Sequence, residues 1–347
     1  MKSSRRTWPT VVDLFSGCGT VTAGLKKCHF KVVAAVDVDP VACSTYRLNH
    51  PSVALIQDDI RNVDPESIRV KLLGHRPLDM MVVCAPCQPF SNQNRYKNGD
   101  DSRRNLILES VRFAAVLRPR LIMFENVPGL VGKGFSSIIE KLNARLSALG
   151  YFCGKPTRIN AADYAVPQRR NRCILLATRG QTPPALPPPT TPEDSRHTVA
   201  DALKGLRRLD AGQADPCDRL HFARHHNPIA LERLSSIPKN GGSRFSLPSR
   251  LVLDCHKGQR GYPDVYGRMS WDDIAPTLTT GCTDVTRGRF AHPEDDRAIT
   301  LREAARLQTF PDTYLFSGNR GEIAAQIGNA VPMRLIETIA PAIRKAF

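Results

Sequence analysis

Asp79-Met80-Met81-Val82-Val83-Cys84-Ala85-Pro86-Cys87-Gln88 is an apolar run that ends in a small, proline-containing turn. A short run of this kind reads as a buried strand, and it leaves a cysteine where the strand emerges at the edge of a sheet. The arrangement recurs further along, where Leu121-Ile122-Met123-Phe124 runs into Glu125-Asn126-Val127. A thiol and a carboxylic acid, each delivered by its own strand, are the groups that addition to an electron-poor ring requires. The sulfur attacks, and the acid supplies the proton that makes the ring accept it.

Outward from these two runs, the first 180 residues alternate between strand-like and helix-like text. Strand-like stretches are Val11 to Phe15, Val32 to Val38, Met80 to Cys84, Leu121 to Phe124 and Cys173 to Ala177; helices are predicted over Asn105 to Leu117 and Phe135 to Leu149. Such alternation predicts an α/β fold with a doubly wound, mostly parallel sheet. Sites in these sheets lie at the carboxyl ends of the strands, where both motifs fall.

The composition then changes. Pro183-Pro184-Ala185-Leu186-Pro187-Pro188-Pro189 is a stiff, extended linker. From about residue 190 to 290 the text is irregular and rich in Gly, Pro, His and Arg, which marks a separate, loop-rich module. Regular helices return with Leu301 to Leu307, Gly321 to Ala330 and a terminal helix from Pro332.

The net charge of +16 points to a polyanionic partner. Residues 1–179 carry 27 Lys and Arg against 14 Asp and Glu, so the excess lies beside the two motifs. No stretch approaches the ~18 uninterrupted apolar residues of a membrane span, and the basic N-terminus leads into no secretory h-region. Ten scattered cysteines, several inside apolar strands, fit reduced thiols and a cytoplasmic location.

Cys84-Ala85-Pro86-Cys87 by itself leaves several readings open: a thioredoxin-type redox pair, half of a zinc site, a nucleophile, or a buried turn. No second pair at zinc-site spacing follows, so a metal is not expected. Asp13-Leu14-Phe15-Ser16-Gly17-Cys18-Gly19-Thr20 is a strand turning sharply into a helix, and its glycines let backbone approach a ligand. Thr22 stands where a dinucleotide fingerprint needs its third glycine, which disfavours a pyrophosphate cofactor.

Pro86-Cys87-Gln88, Glu125-Asn126-Val127, the glycine turn, Gln168-Arg169-Arg170-Asn171-Arg172, Thr300 to Pro311 and Gln326-Ile327-Gly328-Asn329-Ala330-Val331-Pro332 together resemble the DNA (cytosine-5)-methyltransferases of bacterial and phage type. The blocks run from residue 11 to 334 in family order. The resemblance implies a catalytic and cofactor-binding domain over 1–180 completed by 321–347, a target-recognition domain over 181–290, and a connecting segment over 291–320 that supports it.

By the same resemblance the cofactor is S-adenosyl-L-methionine, with Phe15, Gly17 and Gly19 forming its loop. Asp37 matches the ribose-binding position, Val38 the adenine cover, and Asp59 the contact to the adenine amino group. Asn329 and Val331 match the block that completes the pocket. The implied catalytic residues are Cys87 as nucleophile, Glu125 as the acid at N3, Arg172 holding the cytosine O2, and Arg170 holding backbone or orienting the nucleophile. Asn126 fixes the loop, and residues 88–104 close over a flipped base.

Partners implied are double-stranded DNA and, functionally, a cognate restriction endonuclease, with the protein itself a monomer. Lys239 to Arg244 and Thr279 to Asp284 are glycine-bearing turns expected to read base edges. Rival readings are an RNA cytosine methyltransferase on the same scaffold, a non-catalytic DNA-binding relative and a thioredoxin-like oxidoreductase.

Overall fold

The computed structural model describes residues 8–86, 105–132, 136–258, 261 and 263–347. The chain forms two compact units. The first comprises Met1–Asn160, Asn171–Thr190 and Met333–Phe347; the second comprises Ala161–Arg170 and Thr191–Pro332. The expected boundaries at 180, 290 and 320 differ from these. Residues 161–170 and 321–332 belong to the second unit, and 291–320 is part of it rather than a segment apart.

The first unit is built on an eight-stranded sheet. Its strands are β1 (Thr10–Leu14), β2 (Lys31–Asp37), β3 (Ala54–Gln57), β4 (Met80–Val83), β5 (Leu121–Asn126), β6 (Tyr151–Cys153), β7 (Thr157–Asn160) and β8 (Asn171–Arg179). The order is β3-β2-β1-β4-β5-β8-β6, with β7 also paired to β8. The first five strands are parallel, whereas β8 runs antiparallel to β5, and β6 and β7 antiparallel to β8.

Burial explains the sequence pattern. Every residue of β1, β4 and β5 is buried, so these strands read as mostly apolar runs, as strands covered on both faces do, with Asp13 in β1 and Glu125-Asn126 at the end of β5 as polar exceptions. Edge strand β3 is only half-covered, and its mixed run carries no comparable signal. Helices α1 (Thr20–Lys27), α2 (Pro40–Asn49), α3 (Pro65–Ile68), α4 (Leu106–Leu117) and α5 (Ser136–Ala148) connect the strands. Helix α2 starts where Asp39 accepts hydrogen bonds from the Val41 and Ala42 amides, with Pro40 at its first position.

The second unit contains α6 (Val199–Leu203), α7 (Pro228–Ser236), α8 (Leu301–Leu307) and α9 (Arg320–Asn329). The last helix, α10 (Met333–Arg344), returns to the first unit and packs on α1. With few strand ladders to satisfy its backbone, the second unit uses buried arginines. Arg268, fully buried, donates to the carbonyls of Leu234 (2.6 Å), His292 (3.0 Å) and Asp295 (2.8 Å). Arg297 lies between Asp295 (3.0 Å) and Glu303 (2.8 Å). Among the described residues no helix is long and apolar enough to cross a membrane.

Candidate active site

β1 has β2 on one side and β4 on the other, so the connections diverge here. The carboxyl ends of β1 and β4 therefore border the crevice where doubly wound sheets bind their ligands. The glycine turn leaves β1 at this point, and Cys84-Ala85-Pro86 leaves β4. Cys87 itself, and residues 88–104 after it, lie outside the described residues.

Phe15 makes the turn sharp by adopting φ +60, a left-handed conformation that a bulky side chain rarely occupies. The two glycines beyond it do different work. A Cβ on Gly17 (φ +54) would meet nothing within 4 Å, so this face of the turn is open. A Cβ on Gly19 (φ +95) would strike the rings of His50 at 2.6 Å and Tyr46 at 2.8 Å. Only Gly17 gives a ligand access to backbone; Gly19 is small because two side chains press on it from inside.

Asp37 ends β2 and reaches the same turn. Its carboxylate accepts from the Gly17 amide (2.7 Å) and the Asp39 amide (2.9 Å). Burial pushes its pKa up, and these two amides oppose the rise. Val38 follows it as bare apolar surface, 63% exposed. The Ser16 hydroxyl is buried with no protein partner. An open glycine face, a carboxylate, an exposed apolar side chain and an orphaned hydroxyl fit a nucleoside with ribose hydroxyls and an apolar base.

Asp59 is otherwise engaged. Its carboxylate holds Arg61 through Oδ1 (Nε, 2.9 Å) and Oδ2 (Nη2, 2.5 Å), and the Arg61 hydrogen bonds draw its pKa to about 2. An adenine amino group at Asp59 has to share those oxygens with Arg61. Asn329 is exposed at the end of α9 and Val331 is buried, both in the second unit.

Glu125 and Asn126 close β5. Because β8 is antiparallel, its first residues lie beside the last of β5, with Asn126 opposite Cys173 and Glu125 opposite Ile174. Arg172 thereby places Nε 2.7 Å from Glu125 Oε1, with both side chains buried. The N–H does not point along this contact, so it is an ion pair rather than a straight hydrogen bond. Asn126 donates through Nδ2 to the Ala85 carbonyl at 3.0 Å, tying the turn after β4 to the end of β5.

The two arginines of the basic block part company. Arg170 is buried in the second unit and donates to the carbonyls of Leu278 (2.9 Å), Gly328 (2.7 Å) and Ala330 (3.0 Å). Of the two roles expected for it, this is the backbone-holding one. Gln168 joins the same network, donating to Gln308 at 3.0 Å and accepting from the Leu278 amide at 3.0 Å. Among the described residues no group of three His, Cys, Asp or Glu is arranged to hold a metal.

Residues 9–345 match the family described as C-5 cytosine-specific DNA methylase. The chain belongs to that family. The methylase is 37% identical to the Type II methylase M.HgiDII of Herpetosiphon aurantiacus, over 96% of this chain and 95% of that one. It is 31% identical to the Type II methyltransferase M1.HphI of Haemophilus parahaemolyticus, over 97% and 87% of the two chains. Its fold is also that of a protein described as a putative DNA modification methyltransferase encoded within an E. coli prophage, with a TM-score of 0.77, 26% identity, and 97% and 99% of the chains covered. It is a DNA (cytosine-5)-methyltransferase, with the α/β, mostly parallel sheet expected of one.

Sequence reasoning missed the buried polar chain beneath the methylase's glycine turn. Thr22, read only as a departure from a dinucleotide fingerprint, donates to Asp13 Oδ2 (2.8 Å) and pairs with the Tyr46 hydroxyl (2.8 Å). His50 Nε2 bonds the Gly19 carbonyl at 2.9 Å. Burial lifts the Asp13 carboxyl to about 7 against the pull of Thr22. A lone acid inside the apolar run Thr10–Leu14 was the available signal.

The turns expected to read bases are held within the second unit. Arg244 is buried, donates to the Gly261 carbonyl and lies 4.5 Å from the Phe245 ring centre. Asn240 Oδ1 accepts from the Trp271 amide (2.6 Å), and Lys239 pairs with Asp296. In the 279–284 turn Cys282 is buried and Asp284 accepts from Thr286 and Arg224. Exposed guanidinium groups nearby belong to Arg224 and Arg287, which flank Asp284 at 3.2 and 4.0 Å.

Proposed function

We propose that the methylase transfers a methyl group from S-adenosylmethionine to C5 of a cytosine flipped out of duplex DNA, through a covalent bond between Cys87 and C6. The observation that carries this reading is the buried Glu125–Arg172 pair at the end of β5, next to the Asn126 tie on the turn that leads to Cys87. A target atom inside a duplex is out of reach, so the base has to leave the stack.

Cytosine C5 is too poor a nucleophile to take a methyl group unaided. The Cys87 thiolate adds to C6 while Glu125 delivers a proton to N3, which turns C5 into the nucleophilic end of an enamine. S-adenosylmethionine, when bound, supplies the methyl group as a sulfonium substituent. A base then takes the C5 proton, N3 returns its proton to Glu125, and the Cys87–C6 bond breaks, restoring the ring and the thiolate. Arg172 stabilises the carboxylate that Glu125 becomes once its proton is on N3, and presents its guanidinium to the cytosine O2. Arg170 acts further back, as a tie on carbonyls.

Gly17, Phe15, Asp37 and Val38 form the wall for the nucleoside part of the cofactor. Residues 181–290 choose the target sequence, and the basic first half holds phosphates without choosing. The Type II names of the relatives support a place beside a restriction endonuclease.

The test is methylation mapping of DNA from cells expressing the chain, together with trapping on a 5-fluorocytosine duplex. Position-specific 5-methylcytosine and an adduct at Cys87 are the expected results. Retained turnover in Cys87→Ser, or an adduct on Cys84, overturns the assignment.

A further inference from the structure

The glycine turn is gripped from both ends of one helix. At the start of α2, Asp37 accepts from the Gly17 amide at 2.7 Å and from the amide of Asp39, the residue that caps the helix. At the other end, His50 caps the C-terminus of α2 through its own amide, which donates to the Tyr46 carbonyl at 2.8 Å. Its ring returns to the turn and bonds the Gly19 carbonyl at 2.9 Å.

The chemistry of that bond fixes the state of the ring. A carbonyl only accepts, so Nε2 carries the proton and Nδ1 faces Lys26 Nζ, 3.5 Å away, as an acceptor. Burial, with the neighbouring Lys26, keeps His50 neutral by lowering its pKa to about 4. The ring also stands edge-on to Tyr46, with centroids 4.8 Å apart, and Tyr46 in turn meets Thr22 on α1. Gly19, at φ +95, is the N-cap of α1 and has no side chain to cap it; its amide donates to the Ser16 carbonyl at 3.0 Å, and its carbonyl also accepts from the Ala23 amide at 2.9 Å.

We propose that His50 is a positioning residue for cofactor binding: its Nε2–H anchors the Gly19 carbonyl and so holds the turn with the open face of Gly17 toward the ligand. This rests on the reading that the turn binds S-adenosylmethionine. His50 touches neither cofactor nor base; it acts through the backbone of the turn. Without the anchor, the bound conformation of the turn is one of several, and affinity falls by the fraction of time it is absent.

The experiment compares His50→Phe, which keeps a ring against Tyr46 but has no donor, with His50→Gln, whose amide nitrogen reaches to about the position of Nε2. Calorimetry on the full chain measures the Kd of S-adenosylmethionine and of S-adenosylhomocysteine. The expected result is about a tenfold weaker Kd for both ligands in His50→Phe, a loss on the scale of one hydrogen bond, and recovery to within about threefold in His50→Gln. The loss falls on KM for the cofactor, with kcat recovered at saturation.

If His50→Phe does not fold, His50→Asn replaces it, since its shorter amide stops short of Gly19. Wild-type affinity in the folded donor-less variant overturns the proposal, and so does equal weakening in His50→Gln. A wild-type chain that binds neither ligand overturns the cofactor reading first, and this role of His50 with it.

Discussion

Arg172 Nε lies 2.7 Å from Oε1 of Glu125, and neither side chain is exposed by more than a tenth. The pair joins the start of β8 to the end of β5, at the edge of the sheet where Cys84-Ala85-Pro86 emerges. Two opposite charges removed from water hold each other in place, and removing one leaves the other buried and uncompensated.

The first prediction follows from that asymmetry. Glu125→Ala should destabilise the first unit by about 3–5 kcal/mol, the usual cost of breaking a buried pair. Glu125→Gln should lose about 10²–10⁴-fold in single-turnover methyl transfer with cofactor affinity unchanged. In Glu125→Gln/Arg172→Met the urea midpoint should recover while the rate does not. A double variant that regains rate would show that the acid is only structural.

Asp13 makes stability depend on pH. Its carboxyl is raised from an ordinary 3.8 to about 7 by burial. Between those values the native chain holds a proton that the unfolded chain has released, so stability is full below the lower value and falls as pH rises toward the higher. The slope approaches about 1.4 kcal/mol per pH unit. Asp13→Asn keeps a partner for Thr22 and should flatten this loss, read as urea midpoints from acid to neutral pH. Parallel curves for the two proteins would refute it.

Arg170 should prove a matter of stability. Arg170→Met leaves the carbonyls of Leu278, Gly328 and Ala330 without their donors, each at a cost of about 1–3 kcal/mol. A clear fall in thermal midpoint is expected, with Arg170→Lys intermediate. At temperatures where Arg170→Lys is fully folded, its single-turnover rate should stay within a few-fold of wild type. A large rate loss in a folded Arg170→Lys would return the residue to the chemistry.

Arg244→Ala should lower stability without moving the methylated site, because the side chain is buried on the Gly261 carbonyl. Arg287→Ala, whose side chain is 64% exposed, should instead weaken DNA binding. Binding measured against cognate and altered duplexes separates the two outcomes. A relaxed target in the Arg244 variant would contradict its buried placement.

The fold was largely written in local pattern. Runs such as Met80–Val83 and Leu121 to Phe124 are apolar because both faces of the sheet are covered, so burial shows directly in composition. Edge strands β3, β6 and β7 escaped because a half-covered strand of three or four residues has no such run. The antiparallel direction of β8 was not legible either, since a buried strand reads the same both ways.

By itself the sequence determined the alternation of strands and helices, the turn after β1, the thiol and carboxylic acid at strand ends, and the asymmetric positive charge. These depend on residue type and spacing over a few positions. Only the tertiary structure decided which of two similar residues does which work. It turned Gly17 outward and Gly19 against His50, gave Arg172 to Glu125 and Arg170 to the carbonyls of 328 and 330, and buried Arg244. The reason is that a side chain's partner is set by closeness in space. Arg170 and Ala330 are 160 residues apart in the chain and 3.0 Å apart in the fold, a relation that no local pattern encodes.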